Sequence, residues 1–365
     1  MSASAYSDPI FHKKEAKQVF RNHWGFACLT SEIATPGAYI TAKIGEDSVI
    51  VVRDKNELRA FHNVCAHRGA EITSGAGVTK EFKCPYHAWT YGLNGALVGI
   101  PGVKKFEHTI GLQPLKVETW GPFVFVCGDS NINSLSYFYG DLFDYLQKTV
   151  DFLDITSTGT MEEFNFSTEA NWKIVVENSL ECYHCAYAHP GLASSLDLRK
   201  FEQWTQGWWS AQQAPQRIDG EKRGATLGDV TNASAKVSGM DSARFNFLFP
   251  NLYISVWPGS QGFSTTQIIP KGYHRTETRH RRFFQNDVSD AEKQESHAFI
   301  KEVISEDIIL CESVQRGLNR EVTNQRLLVN RIDPGPDETC ILHFHKLLQE
   351  KTNEPMLKST RDANP

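Results

Sequence analysis

Residues 65–95 read CAHRGAEITSGAGVTKEFKCPYHAWTYGLNG, and this stretch decides the fold. It opens with Cys65-Ala66-His67 and, sixteen intervening residues later, repeats the theme as Cys84-Pro85-Tyr86-His87. Each pair sets one thiolate and one imidazole on a tight loop after an expected strand. A Rieske [2Fe–2S] centre needs this donor set, two thiolates on one iron and two neutral imidazoles on the other. A Cys2His2 zinc site is the plainer alternative, but zinc fingers usually pair Cys with Cys and His with His along the chain, whereas both loops here are mixed. Gly69, Pro85, Tyr86 and Trp89 suit two loops clasping a larger cluster.

Around this stretch the pattern is β-rich. Ser48–Arg53 (SVIVVR) and Glu57–Val64 (ELRAFHNV) carry β-branched and aromatic residues and flank the polar turn Asp54-Lys55-Asn56. Asn94-Gly95 signals a two-residue hairpin with positive φ at both turn positions, and Val124–Cys127 closes the block. Ahead of it, the first twenty or so residues read as a polar, amphipathic helix around Val19 and Phe20. Beyond it, helices are expected over Tyr137–Leu153 and Asn171–Ala186, the latter with Trp172, Val175, Val176 and Leu180 at helical spacing. Residues Glu202–Ala243 favour no element. Strands return at Phe245–Trp257, Phe263–Ile269 and Thr276–Phe284, and Ser289 with Glu292 forms a capping box that starts a helix running past Ile304. The expected fold class is α+β: a β-rich cluster-binding domain plus a catalytic domain with an antiparallel sheet covered by helices. The expected boundaries are 1–36 for an N-terminal helical segment packing on the catalytic domain, 37–135 for the cluster-binding domain and 136–365 for the catalytic domain.

A second constellation lies in NWKIVVENSLECYHCAYAHP, Asn171–Pro190. Glu177, Glu181 and His184 fall at i, i+4 and i+7, on one face if the helix is unbroken. His189 joins His184 on one metal only if the helix distorts or ends between them, and Pro190 disfavours α geometry at His189. Two His and one carboxylate on one side of a metal, with the other positions open, form the site of non-haem Fe(II) oxygenases. Cys182-x-x-Cys185 as a redox or zinc pair, or a solvated acidic helix face, are the competing interpretations. The third ligand must come from elsewhere, and Ser305–Glu312 (SEDIILCE) offers Glu306, Asp307 and Glu312 on one expected helix.

These motifs resemble the large (alpha) subunits of Rieske non-haem iron oxygenases over most of the chain, from about residue 20 to 350. The resemblance implies Cys65 and Cys84 on the buried iron of the cluster and His67 and His87 on the iron nearer the surface. Arg68 and Trp89 then belong to the shell around them. It also implies His184, His189 and Asp307 on a mononuclear Fe(II), with Asn178 beside them. Glu181 becomes the bridge between a Rieske His of one subunit, His87, and His184 of its neighbour, and a head-to-tail homotrimer follows. Ring-hydroxylating dioxygenases usually carry Asp at the bridge. Glu within LECYHC is similar to subunits acting on quaternary ammonium compounds, such as carnitine monooxygenase and betaine demethylases. The expected reaction is therefore O2-dependent hydroxylation of a C–H bond in a carnitine-, betaine- or choline-like substrate, leading to C–N cleavage or N-demethylation. Hydroxylation or demethylation of an aromatic acid is the alternative. A pure electron-transfer Rieske protein with a structural metal and a zinc-binding interaction module are more distant rivals.

Such a substrate is held best by aromatic faces through cation–π attraction, and the candidates are Trp204, Trp208, Trp209, Tyr253, Trp257 and Phe263. Phe245, Phe247 and Phe249, at alternating spacing, are more simply sheet core. With no G-x-G-x-x-G between strand and helix, NAD(P)H enters only through a separate flavin/iron–sulfur reductase. Composition agrees. Of 365 residues, 40% are apolar and 22% charged, excluding a disordered chain, and the net charge of −5 without basic blocks argues against nucleic acid. No apolar run approaches a membrane span and the N-terminus lacks a signal-peptide core, so the expected location is cytoplasmic. There the eight cysteines are not a disulfide framework.

Overall fold

In SVIVVR every residue from Val49 to Val52 is apolar, and the structure shows why a solvated alternation is absent. Side chains alternate across the strand, and here both faces are buried. Val49 and Val51 enter one core with Ala27, Cys28, Val124 and Val126. Ile50 and Val52 enter another with Phe61, Phe82, Tyr91, Cys65 and Cys84. The second core anchors both cysteine loops.

The computed structural model describes residues 1–106, 110–147, 150–217, 242–257, 262–320, 327–330 and 335–352. Two units separate, Ala16–Tyr137 and Met1–Glu15 together with Phe138–Pro365. The first holds β1 (Gly25–Leu29), β2 (Ala38–Ile44), β3 (Asp47–Asp54), β4 (Glu57–His62), β5 (Ala76–Val78), β6 (Glu81–Lys83), β7 (Thr90–Gly92), β8 (Leu97–Gly99), β9 (Pro114–Trp120) and β10 (Phe123–Cys127). They form an antiparallel sheet in the order β1-β10-β9-β4-β3-β2-β5 and a small sheet β6-β7-β8. The β7–β8 connection is longer than the expected two-residue turn. Gly92 N–H donates to Ala96 C=O at 2.9 Å, and Gly95 alone of the Asn94-Gly95 pair has positive φ, at 82°. A three-residue loop ending in one left-handed residue is the next commonest hairpin closure.

The second unit is built on a seven-stranded antiparallel sheet. Its strands are β11 (Thr160–Thr168), β12 (Glu202–Gln206), β13 (Trp209–Pro215), β14 (Ser242–Leu248), β15 (Leu252–Val256), β16 (Gly262–Pro270) and β17 (Thr276–Phe284), in the order β11-β17-β16-β15-β14-β13-β12. The first part of Glu202–Ala243, where no element was expected, is thus the β12–β13 hairpin, in which Gly207 takes a φ of 48°. Residues 218–241 lie outside the described residues. The α-helices described are α1 (Ser4–Ser7), α2 (Pro9–Glu15), α3 (Leu135–Gln147), α4 (Phe152–Thr158), α5 (Trp172–Ser179), α6 (Cys185–Ala188), α7 (Pro190–Ser195), α8 (Asp290–Leu318) and α9 (Thr339–Thr352), with a π-helix at Ala16–Arg21 and 3-10 turns at Thr30–Ile33 and Leu198–Lys200. The Ser289/Glu292 capping box starts α8, as its spacing requires. Helix α5 packs on α8 and β16.

The N-terminal segment 1–36 does not stay together. Its first fifteen residues pack on the catalytic unit, where buried Glu15 pairs with Lys173 Nζ at 2.6 Å and accepts from Trp172 Nε1 at 2.9 Å. Gly25–Leu29 instead pairs with β10 in the other unit. No helix among the described residues is long and apolar enough to cross a membrane.

Phe263, placed among the pocket candidates, is core. It is fully buried, stacks on Phe283 at 4.5 Å and meets Phe152 edge-on at 4.8 Å. Phe263→Ala should lower the unfolding free energy by about 3–5 kcal/mol, read by chemical denaturation, and folded protein should keep its substrate KM.

Candidate metal centres and substrate cavity

The two cysteine loops are near copies. Cys65 N–H donates to Ala70 C=O and Gly69 N–H returns to Cys65 C=O, at 2.8 and 3.0 Å; Cys84 to Trp89 and Ala88 to Cys84 repeat the pattern at 2.8 and 2.9 Å. The fifth residue of each loop is left-handed, Gly69 at φ 76° and Ala88 at 56°. Both sulfurs are buried free thiols. Burial opposes a thiolate at Cys65, but hydrogen bonds led by Tyr91 O–H, 3.1 Å from the sulfur, outweigh it and draw the thiol pKa down. His67 and His87 are exposed, with ring centroids 4.7 Å apart, and His67 stacks flat on Trp89 at 4.7 Å. Buried sulfur donors below and exposed imidazoles above fit a cluster whose outer iron is reached from solvent.

The second constellation departs from a single helical face. Helix α5 ends at Ser179, and Glu181 and His184 lie beyond it. The Glu181 carboxylate accepts the backbone N–H of Tyr183 and, at 3.2 Å, that of His184. A local side chain that satisfies these donors competes with helix continuation. Glu177 points elsewhere, accepting from Tyr6 O–H and lying 2.9 Å from His345 Nε2. One short turn later the chain breaks again at His189 (φ −123°, ψ 76°), with Pro190 opening α7.

These two breaks bring His184 and His189 together. Their Nε2 atoms are 3.1 Å apart, and Asp307 Oδ1 on α8 lies 3.0 Å from His189 Nε2 and 3.4 Å from His184 Nε2. The three donor atoms form a cluster able to hold one metal ion, since ligands about 2.0–2.2 Å from an ion at right angles stand about 3 Å apart. The remaining ring nitrogens are held from behind: His184 Nδ1 donates to Glu181 Oε1, and His189 Nδ1 to Glu306 Oε2 at 2.6 Å. Such outer partners fix the tautomer that leaves Nε2 free for metal. Asn178 Nδ2 stands 3.5 Å from His184 Nε2. Of the three acids weighed on α8, Asp307 joins the donor cluster, Glu306 orients His189, and Glu312 accepts from Glu169 N–H at 3.1 Å. Cys182 and Cys185 are joined by a disulfide. It is a local bridge across the turn between Glu181 and His184, not part of a framework, and it leaves no thiol pair there for zinc.

The triad opens on a cavity of about 190 Å³ between the sheet and helices α5 and α8. Of the six aromatic candidates, Tyr253 and Trp257 line it. Trp204 faces Tyr145 at 6.2 Å, Trp208 packs on Phe138 and Phe249 at 5.4 and 5.5 Å, Trp209 is buried in β13, and Phe263 is the core residue described above. These four contribute nothing to the cavity wall. Phe201, Phe245 and Phe299 line it instead, with Trp257 5.0 Å from Phe245 and 6.0 Å from Phe299, both edge-on. Phe247 shares the sheet face of Phe245 and stands opposite Tyr253, but it and Phe249 pack on Phe344 instead of lining the cavity.

Comparisons with known proteins place both units in one family. The Rieske [2Fe-2S] domain matches residues 23–120, and the catalytic domain of the ring hydroxylating alpha subunit matches 155–354. The chain belongs to the Rieske oxygenase alpha subunits. That family carries a Rieske [2Fe–2S] cluster and a mononuclear iron. The oxygenase subunit of carnitine monooxygenase from Acinetobacter pittii (strain PHEA-2) is 33% identical, over 94% of this chain and 92% of that one. Chloroplastic choline monooxygenase of Spinacia oleracea is 30% identical, over 95% and 77%. The solved quaternary ammonium Rieske monooxygenase CntA in complex with L-carnitine superposes with a TM-score of 0.81 at 27% identity, over 96% of this chain and 95% of that one.

Asp307→Ala should remove the mononuclear iron and turnover while leaving the Rieske visible spectrum intact, reducing iron from about three to about two per chain. Surviving turnover overturns the assignment. Burial disfavours a charged His184, but hydrogen bonds with Asp307 and Glu181 prevail and raise its pKa to about 9. Below that pH a metal ion must displace the proton. Affinity for Co(II), followed by titration of the metal-free protein, should therefore fall steadily from pH 9 to pH 7; a flat profile contradicts this.

Proposed function

We propose that this chain is the terminal oxygenase component of a monooxygenase acting on a quaternary ammonium compound, with C–N cleavage or N-demethylation following hydroxylation. The observation that carries this is the His184–His189–Asp307 cluster opening on a cavity walled by Phe245, Trp257 and Phe299. A quaternary ammonium donates no conventional hydrogen bond, and aromatic faces attract it by about 0.5–2 kcal/mol each. Relatives named for carnitine and choline oxidation support the same substrate class.

Cys65 and Cys84 would hold one iron of the cluster and His67 and His87 the other, and His184, His189 and Asp307 would hold the mononuclear iron. Bound there, the iron supplies O2 activation at its open positions. Around it, Glu306 keeps His189 in the tautomer that presents Nε2, and Glu181 does the same for His184. The aromatic walls fix the ammonium so that one C–H faces the triad, and they exclude water from it. Glu181 also serves as the bridge that a neighbouring subunit's His87 would reach, which requires a head-to-tail ring, a homotrimer in our reading. A solved relative described in terms of inter-subunit electron transfer supports that arrangement. Electrons come singly from NAD(P)H through a separate flavin/iron–sulfur reductase, and we place the enzyme in the cytoplasm.

Reductase-coupled O2 uptake, assayed on carnitine, glycine betaine, choline and a panel of aromatic acids, tests the proposal. Stimulation by quaternary ammonium compounds is expected, and stimulation by aromatic acids alone overturns it. Glu181→Gln should keep both iron sites loaded yet slow reoxidation of the reduced cluster by at least about tenfold in single-turnover absorbance traces, because it loses the carboxylate charge from the hydrogen bond to His184 Nδ1.

A further inference from the structure

The cavity floor is one face of the catalytic sheet. Strand register aligns Glu162, Arg282, Ser264, Ser255, Phe245 and Gln212 in a single row across β11, β17, β16, β15, β14 and β13. Residues directly opposite on antiparallel strands share a face, about 4.5–5.5 Å apart. The last four of the row line the cavity, as does His280, two residues before Arg282 on β17. Arg282 therefore stands immediately beside the floor, behind Ser264.

Arg282 is a buried cation with no ion-pair partner among the described residues. It is 5% exposed, and its Nε and Nη1 have no hydrogen-bond partner among the described residues. Glu162, its cross-strand neighbour, is taken by His297 Nδ1 at 3.0 Å, and Glu163 accepts from Arg281 at 2.7 Å. The Arg282 guanidinium instead lies over the Phe284 ring, 5.3 Å from its centre. Burial lowers its pKa to about 10, which still leaves it charged at neutral pH. Between Arg282 and the cavity, Ser264 Oγ and His280 Nε2 are also buried without partners, while His280 Nδ1 is 2.8 Å from Thr266 Oγ1. Burial, reinforced by the Arg282 charge, pushes the His280 pKa down to about 3, so its ring is neutral. A buried charge and two buried polar atoms without partners are each destabilising, and all three would be relieved by one anion entering from the cavity.

We propose that Arg282, Ser264 and His280 form the anion-recognising end of the substrate cavity, so that the substrate is a quaternary ammonium carrying a carboxylate rather than one ending in an uncharged alcohol. This rests on the function proposed above and narrows it. The aromatic cluster of Phe245, Trp257 and Phe299 takes the trimethylammonium end, and Ser264 and His280 donate to a carboxylate in the field of Arg282. A choline-like cation meets the same positive field with no compensating charge.

The test compares kcat and KM for glycine betaine, its uncharged amide and choline in the reductase-coupled assay. Wild type should show a KM for the carboxylate about tenfold to a hundredfold below that for the amide, as hydrogen bonds to a charged group imply. Arg282→Met, which exchanges an unpaired buried charge for an apolar side chain, should melt no lower than wild type. It should raise the carboxylate KM far more than the amide KM, with kcat changed less than KM. Ser264→Ala should shift the same ratio in the same direction. Equal KM values for carboxylate and amide in the wild type, or preference for choline, overturn the subsite while leaving the proposed function standing. No turnover of any quaternary ammonium overturns both.

Discussion

The architecture of the catalytic unit depends on a short piece of chain refusing to stay helical. An unbroken helix from Asn171 to Ala186 would carry His184 on past the point where it can meet His189. Glu181 ends it by taking the backbone N–H groups of Tyr183 and His184, and Pro190 ends the next turn at His189. The two imidazoles then converge on Asp307, supplied by a helix more than a hundred residues later in the chain. The same carboxylate that interrupts the helix orients the His184 ring, so backbone geometry and ligand tautomer share one cause.

The cysteine loops follow a parallel logic with different materials. Two copies of one backbone hydrogen-bond pattern, each closed by a left-handed residue, present sulfur inward and imidazole outward. A strand buried on both faces carries the apolar core against which the sulfurs sit. A donor set of mixed hardness is thereby sorted by solvent access, thiolates in a dry environment and imidazoles in a wet one.

The cavity is built in a different way, across a sheet. The cavity mixes aromatic walls with a floor of small hydroxyls and one neutral histidine, and the buried guanidinium lies one strand further on. The floor residues and the guanidinium are spaced by strand register and not by closeness along the chain. A wall made this way can change its shape and polarity by single substitutions on β15, β16 or β17 without touching the His184–His189–Asp307 cluster on α8 and the α5–α7 segment.

Much of this was legible in the residues themselves. The mixed Cys/His pairs, the His184–His189 spacing before a proline, the capping box at Ser289 and the α+β class all rest on local chemistry that needs only neighbours within a few residues. Asp307 was selected from three nearby acids by family resemblance, because helical periodicity alone does not tell which acid faces a metal. What escaped was whatever depends on partners distant in sequence. Trp204, Trp208 and Phe263 have the right chemistry for an ammonium cage but pack elsewhere, whereas Phe245 and Phe299 line the cavity, and packing decides this, since Phe247 on the same sheet face as Phe245 is taken up by Phe344. That Arg282 has no ion-pair partner among the described residues was likewise invisible, since pairing is decided only by the folded surrounding. Local sequence therefore determined the donor types and the breaks that present them, and tertiary structure alone decided which aromatics line the cavity and which buried charge lies beside it, because burial and pairing are properties of the assembled fold.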